Sequence, residues 1–356
     1  LFLIDEIDKL NSNYRGDPAS SLLEVLDPEQ NKTFVDNYLE EEYDLSHVMF
    51  ILTANYIENI PEALKDRLEI INISGYTEFE KFDIATKHLL PKIIKENGFN
   101  DNFINISDDV ILKIIRNYTK EAGVRELERQ LDKLVRKIVT QIVTNDIKIN
   151  KININDKVLE KYLGKEKYKF NTKTKSQVGV VNGLAYTIYG GDTLPIEVNY
   201  FKGKGNLILT GSLGEVMKES ASIALSYLKS NYNLYNISYD KLINNDIHIH
   251  VPEGAIKKDG PSAGIALTLA IFSALTKTKI PDTLALTGEI TLRGNILAIG
   301  GLKEKTIGAL RSGIKTVIVP DSNAQDLDDL PDEVKNNINF IKVKNFKEVY
   351  KVIKNV

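Results

Sequence analysis

The chain has 356 residues, of which 42% are hydrophobic and 27% charged, a soluble globular balance that excludes wholesale disorder and a membrane-embedded protein. Lys plus Arg number 46 against 49 Asp plus Glu, a net charge of −3, so no global basic field recruits nucleic acid. Cysteine is absent and the histidines are His47, His88, His248 and His250, which removes thiol nucleophiles and cysteine metal sites and leaves little for a Ser-His-Asp triad.

The first apolar run, Leu1 to Ile4, reads as a short buried strand ending in Asp5-Glu6, and a second, Val48 to Leu52, ends in Thr53-Ala54-Asn55. A helical pattern from Ser20 to Leu26 lies between them, so a parallel α/β sheet is expected. In such sheets ligands sit at the carboxyl ends of strands, where Asp5, Glu6 and Asn55 fall. An acidic pair there suits a nucleoside triphosphatase: Asp5 can hold Mg²⁺ and Glu6 can polarise the attacking water, although such pairs are also common on solvated loops. Asn55 can orient that water, and Arg67 can act as an arginine finger. No G-x-x-x-x-G-K-[ST] phosphate cradle occurs anywhere in the sequence, so the chain by itself is not expected to bind nucleotide well.

From about Thr77 to Leu163 helices are expected, the clearest carrying Leu127, Leu131, Leu134, Ile138 and Ile142 on one face. The lysine-rich stretch 165–175 reads as a solvated linker. From Val178 strands and helices mix in an α+β pattern. Residues 247–251 alternate like a half-buried strand, Ser262 to Ala274 reads as a helix opened by Pro261, and Thr316 to Val319 as a short buried strand. The apolar stretch from Gly264 to Leu275 is far shorter than the roughly 18–20 residues of a bilayer span, and none is expected. Leu1 is neither a start methionine nor part of a targeting signal, and the sequence reads as a fragment.

The segment Gly260-Pro261-Ser262-Ala263-Gly264 places a serine at the positive end of a helix, where free N–H groups can stabilise an oxyanion; alternatively the serine merely caps the helix. A serine nucleophile needs a base, either His248 or His250 or a desolvated lysine. Among lysines, Gly300-Gly301-Leu302-Lys303-Glu304-Lys305 opens a helix whose wheel puts Lys303 nearer the apolar centre and Lys305 at its edge, so periodicity does not select Lys305. The His248-x-His250 pair can face a metal, but with no third ligand in view a polar strand face is the simpler reading.

Longer strings carry a resemblance. Leu3-Ile4-Asp5-Glu6-Ile7-Asp8-Lys9, Leu26-Asp27-Pro28-Glu29-Gln30-Asn31, Glu121-Ala122-Gly123-Val124-Arg125-Glu126-Leu127, Lys258-Asp259-Gly260-Pro261-Ser262-Ala263-Gly264 and Thr287-Gly288-Glu289-Ile290-Thr291-Leu292-Arg293-Gly294, in this order, resemble the A-type Lon proteases, ATP-dependent serine proteases of bacteria, mitochondria and related organelles. The resemblance implies an α/β plus α plus α+β architecture: the tail of an AAA+ large subdomain over 1–74, a helical lid over 75–164, a linker over 165–175 and a serine protease domain over 176–356. It implies Walker B roles for Asp5 and Glu6, with Mg²⁺ on Asp5, sensor 1 for Asn55, the arginine finger for Arg67 and sensor 2 for Arg125. It also implies a Ser262–Lys305 dyad supported by Thr287 and Glu289, with the histidines not serving as the base.

By the same resemblance the expected function is ATP-dependent degradation of misfolded and regulatory proteins by a hexamer, using ATP and Mg²⁺, in the cytoplasm or an organelle matrix. Without the phosphate-binding loop, peptidase activity independent of ATP is the most expected of this chain. The rival expectation is a non-catalytic assembly module, with weak DNA contact through the lysines of 165–175.

Overall fold

A computed structural model describes residues 1–10, 18–36, 38–99, 104–145, 152–168, 176–187, 190–252 and 258–354. The chain divides into two compact units, Leu1–Ile73 and Ser74–Val356.

The first unit contains β1 (Phe2–Ile4), α1 (Pro18–Leu26), β2 (Phe34–Asp36), β3 (Glu41–Tyr43), β4 (Phe50–Leu52) and α2 (Glu62–Lys65). Strands β1 and β4 pair in parallel, with Phe2 opposite Phe50 and Ile4 opposite Leu52, as the two apolar runs predict. They are not buried, however: Phe2 and Leu3 are 56% and 65% exposed. Among the described residues β1 and β4 pair with each other alone, and the small core of Ile7, Ile60 and Leu64 covers one side, so apolar character does not become burial in these strands. The β2–β3 hairpin escapes sequence reading because Glu41-Glu42-Tyr43 carries no apolar alternation.

The second unit opens with a capping box at Thr77, whose hydroxyl accepts the Glu80 N–H while the Glu80 carboxylate accepts the Thr77 N–H. Helix α3 (Glu78–Ile84) continues through a π-helical turn at Ala85–Leu89 into α4 (Leu90–Glu96). Pro91 cannot donate to the carbonyl four residues back, and the wider turn accommodates its ring. Next come β5 (Ile104–Ile106), α5 (Asp108–Tyr118), α6 (Arg125–Asn145), β6 (Ile152–Ile154) and α7 (Asp156–Leu163). The predicted stripe on α6 is the core of this helical part: Leu127, Leu131, Leu134 and Ile138 are buried, with Ile142 at the margin. The short parallel β5–β6 pair falls inside the stretch expected to be helical.

Of the predicted linker, residues 169–175 lie outside the described residues. Its first part is tied down: the Lys167 and Tyr168 N–H groups donate to the Asn117 carbonyl, Glu166 pairs with Lys113, and Lys167 with Glu126.

The remainder comprises β7 (Val180–Thr187), β8 (Gly190–Lys202), β9 (Leu207–Thr210), α8 (Glu215–Ser230), α9 (Tyr239–Ile243), β10 (Asn245–His250), α10 (Gly264–Thr276), β11 (Leu284–Leu286), β12 (Glu289–Ile290), β13 (Ile296–Leu297), α11 (Leu302–Arg311), β14 (Thr316–Pro320), α12 (Asp332–Asn337), β15 (Asn339–Val343) and α13 (Phe346–Lys354). A seven-stranded mixed sheet runs in the order β15-β14-β11-β7-β8-β10-β9, with β15, β14, β11 and β7 mutually parallel.

Period-2 alternation sorts this sheet into two cores. Leu284, Leu286 and Ile318 pack with α8 and α10, whereas Ala285, Val317 and Val319 pack with α11 and α12 on the other face. Helix α10 is apolar all round and buried except at Thr276, and its polar groups are satisfied internally: Thr268 donates to the Gly264 carbonyl, and Ser273 accepts the Gly179 N–H.

Helix α11 lies so close to β8 that neither element tolerates a side chain at the contact. A Cβ on Gly191 would fall 1.7 Å from the Glu304 carbonyl oxygen, and one on Gly308 would fall 2.3 Å from the Gly191 carbonyl carbon. Gly191→Ala must push helix and strand apart, and a loss of about 1–3 kcal/mol in folding stability is expected for such overpacking. A urea or thermal melt of the variant measures it, and an unchanged midpoint would contradict the contact.

Candidate active site

Helices α10 and α11 sit on opposite faces of the sheet, yet both begin at its carboxyl edge. Each precedes a parallel strand and runs against it, so its N-terminus points to that strand's carboxyl end. The backbone bonds confirm the placement. Beyond β11, the Gly288 N–H donates to the Ser262 carbonyl at 2.8 Å and the Ile265 N–H to the Gly288 carbonyl at 3.1 Å. Beyond β14, the side chain of Asn323 binds both backbone groups of Ile299, at 3.0 and 2.8 Å, just before α11.

Ser262 lies in a single 3-10 turn, Pro261–Ala263, ahead of α10, whereas the sequence pattern starts the α-helix at the serine itself. The N-cap positions of the two turns are Gly260 and Ala263, so Ser262 sits inside the first turn rather than at the cap position. The first bond of the turn runs from the Gly264 N–H to the Pro261 carbonyl, leaving the N–H groups of Ser262 and Ala263 ahead of the ladder. The loop before it is anchored by Asp259, whose carboxylate accepts the Met217 N–H at the start of α8 and the Gly260 N–H.

Lys305 is 5% exposed, while Lys303 is only half-buried, the reverse of the helical-wheel expectation. The buried face of α11 is Leu302, Lys305, Thr306, Gly308 and Ala309. Small and polar residues make its contact with β8, and an apolar wheel does not count them. The Lys305 amine donates to the Gly300 carbonyl at 2.9 Å. Burial brings its pKa down to about 8 against the attraction of the Glu304 carboxylate.

Thr287 is fully buried and its hydroxyl donates to the Ser262 carbonyl at 3.4 Å, so it braces the serine's backbone. Glu289 lies half-buried on the β12–β13 hairpin, opposite Leu297. His248 and His250 point the same way from β10, as their spacing predicts, and the Thr210 hydroxyl bridges their rings at 2.9 and 2.8 Å. Among the described residues no group of three or more His, Asp or Glu is placed to hold a metal ion. Sequence reasoning misses Asn323 and the Gly300 carbonyl. The available signal is the turn string Pro320-Asp321-Ser322-Asn323, which succeeds a buried strand at its carboxyl end as Asn55 succeeds β4.

In the first unit, the Thr53 hydroxyl donates to the Asp5 carboxylate and accepts the Glu6 N–H at 3.1 Å, joining the carboxyl ends of β1 and β4. Glu6 adopts a left-handed backbone with φ 57° and pairs with Lys9. Asn55 is exposed beyond β4. Arg67 binds the Asp27 carboxylate at 3.3 Å and the Ala63 carbonyl at 2.9 Å. In the second unit, Arg125 opens α6 and lines a cleft of about 420 Å³ with Glu96, Glu128, Arg129 and Asp132.

Residues 153–355, carrying the seven-stranded sheet with Ser262 and Lys305, match the Lon protease (S16) C-terminal proteolytic domain. The chain belongs to the Lon protease family. Residues 95–152 match the Lon protease AAA+ ATPase lid domain, and residues 1–76 match the AAA family of ATPases associated with various cellular activities. The chain is 55% identical over 354 residues to a Lon protease of Mycoplasma mycoides, covering 99% of this chain and 44% of that protein. It is 53% identical over 350 residues to Lon protease 1 of Bacillus subtilis, covering 98% of this chain and 45% of that protein. A Lon protease of Clostridioides difficile is 52% identical over 350 residues, with 98% and 44% covered. The chain thus spans less than half the length of these Lon relatives.

The buried amine makes a prediction that is independent of activity. Between the folded pKa of about 8 and the unfolded value of 10.5, the unfolded chain binds more protons at Lys305, so stability rises with pH across that window. Below it the charged amine stays buried, at a cost on the order of 3 kcal/mol at about 1.4 kcal/mol per pKa unit. Lys305→Met, which keeps the stem and removes the charge, is expected to raise the urea midpoint at pH 7 and to lose that advantage above pH 10. An equal midpoint at pH 7 would place the amine in water.

Proposed function

We propose that this chain carries the proteolytic centre of a Lon protease, with Ser262 as nucleophile and Lys305 as general base. The observation that supports it best is the placing of two features along one carboxyl edge of the sheet: a serine in the turn that opens α10 and, at the start of α11, a lysine whose burial leaves much of it neutral near pH 8. Lys81 is the useful comparison, since burial takes its pKa to about 8 as well. Its amine is bound to the Glu121 carbonyl within the lid, where no serine among the described residues opens a helix from a turn like that of Ser262, so a depressed pKa alone does not select a base.

In the proposed reaction, the Ser262 oxygen attacks the scissile carbonyl while the neutral Lys305 amine takes the hydroxyl proton. The carbonyl electrons move to its oxygen, and the N–H groups at the start of the turn are the candidate donors to that oxyanion. As the carbon–nitrogen bond breaks, the Lys305 ammonium returns a proton to the leaving amine. Water, deprotonated by the same lysine, then releases the acyl group and restores Ser262. Thr287 supports the serine through its backbone, and Glu289 shapes the adjoining hairpin.

The AAA portion supports nucleotide use by the intact enzyme. There Asp5, held by Thr53, offers Mg²⁺ a single carboxylate beside substrate phosphates, a donor set that fits a magnesium ion. Glu6, Asn55 and Arg67 are proposed for water activation, water orientation and the arginine finger, and Arg125 for the lid's nucleotide sensor. Protein substrates and a homo-hexameric ring are likewise proposed for the intact enzyme. For these 356 residues, which contain no phosphate-binding G-x-x-x-x-G-K-[ST], peptide cleavage indifferent to Mg-ATP is expected.

The test is cleavage of an unstructured fluorogenic peptide, with and without Mg-ATP, by the wild-type chain, Ser262→Ala and Lys305→Met. Each variant is expected to lose at least about 10³-fold in kcat/KM, and the wild-type rate is expected to rise with pH along a limb near pH 8. Undiminished cleavage by Ser262→Ala would refute the assignment.

A further inference from the structure

Asn323 sits just past β14, 3% exposed, and its side chain bonds both backbone groups of one residue of another segment. The Ile299 N–H donates to Oδ1 at 3.0 Å and Nδ2 donates to the Ile299 carbonyl at 2.8 Å. The Asp326 carboxylate takes the other proton of Nδ2, which sets the direction of the amide. A side-chain amide with one donor and one acceptor thus pairs Ile299 as a neighbouring strand would, holding the peptide groups on both sides of that residue.

The two glycines after Ile299 make this bracing matter. Gly300 and Gly301 carry no Cβ, and Gly301 has φ +67°, so nothing in their own side chains limits how the segment turns. The Gly300 carbonyl is nevertheless the acceptor of the Lys305 amine at 2.9 Å. It belongs to the peptide plane between Gly300 and Gly301, which is held from both sides: the 2.8 Å bond from Asn323 fixes the plane before it at the Ile299 carbonyl, and the Gly301 carbonyl after it accepts the Lys305 N–H at 3.1 Å in the first turn of α11.

We infer that Asn323 is a positioning residue for Lys305: by clamping Ile299 at both backbone groups it aims the Gly300 carbonyl, and that carbonyl sets where the Lys305 amine points. The catalytic consequence rests on the Ser262–Lys305 reading, whereas the placing of the amine does not. The charge acting on Lys305 is that of Glu304, on its own helix, and the clamp leaves it unaltered. A carbonyl acceptor favours the ammonium over the amine, so releasing it must lower the pKa of Lys305.

The experiment is a pH titration of Lys305 in the whole chain by a small amine-labelling reagent, read by mass spectrometry, beside peptide kinetics and a thermal melt. In Asn323→Ala the labelling midpoint is expected to move below the wild-type value of about 8. The kcat for peptide is expected to fall by about 10- to 100-fold with KM nearly unchanged, as for a misdirected catalytic group. A lower melting temperature and smaller active fraction with the Lys305 midpoint unmoved would reduce Asn323 to a purely structural role and overturn the inference.

If the alanine variant does not fold, Asn323→Asp in an Asp326→Asn background, read against Asp326→Asn alone, carries the test, since it keeps the size and the acceptor for the Ile299 N–H, avoids two facing carboxylates and loses the donor to the Ile299 carbonyl. A reduced kcat at unchanged KM then supports the clamp, and an unreduced kcat overturns it. Should Ser262→Ala still cleave peptide, the dyad reading fails by itself, and the labelling midpoint continues to decide whether Asn323 positions the amine.

Discussion

The backbone-to-backbone contact between β8 and α11 is the constraint on which the candidate centre depends. Gly191 and Gly308 face each other with no room for a Cβ, so the helix settles directly onto the strand. Arg311 fastens the same place by donating to the Gly191 carbonyl at 2.9 Å. At that separation Lys305, between Glu304 and Thr306, cannot send its stem out to water as surface lysines do. Its amine is left beside the Gly300 carbonyl, and desolvation does the rest. A more distant helix would leave an ordinary lysine.

A second constraint delivers the serine. Helix α10 is buried on every side, so its direction is set by the sheet and by α8, and its start is stitched to Gly288 beyond β11. Because α10 and α11 each run back against a parallel strand, their N-termini share the carboxyl edge although the helices occupy opposite faces. The first unit obeys the same rule on a smaller scale, with Asp5, Glu6 and Thr53 at the carboxyl ends of β1 and β4.

Polar contacts connect the helical part of the second unit to its sheet. Lys81 holds the Glu121 carbonyl, and the Glu121 carboxylate accepts the N–H groups of Glu126 and Leu127 at the start of α6, next to Arg125. The neighbouring Lys120 pairs at 3.0 Å with Asp192, the residue after Gly191 on β8. The segment between α5 and α6 is therefore bonded both to the helical core and to the strand under α11. Polar contacts of this kind carry little stability when exposed. Their value here is geometric, since one end touches the start of α6, where Arg125 lies, and the other the strand that packs against α11.

Composition and local pattern determined much of this protein without coordinates. The α6 stripe and the alternation of β10 arise from periodicities of 3.6 and 2, and the strands β1 and β4 and the helix after Pro261 from continuous apolar runs, all of them properties of neighbouring residues. The long strings around Asp5, Arg125, Ser262 and Thr287 carried the family resemblance on residue identity alone. Where periodicity misjudged, contacts between distant segments decided the outcome. Phe2 and Leu3 are apolar yet exposed, because burial requires a covering layer and not merely a greasy strand. Lys305 rather than Lys303 turns inward because two glycines 117 positions apart, Gly191 and Gly308, bring a strand against that side of α11. Asn323 meets Ile299 for the same reason: a side-chain hydrogen bond across 24 residues has no local signature, and only the packed sheet puts its two ends within 3 Å of one another.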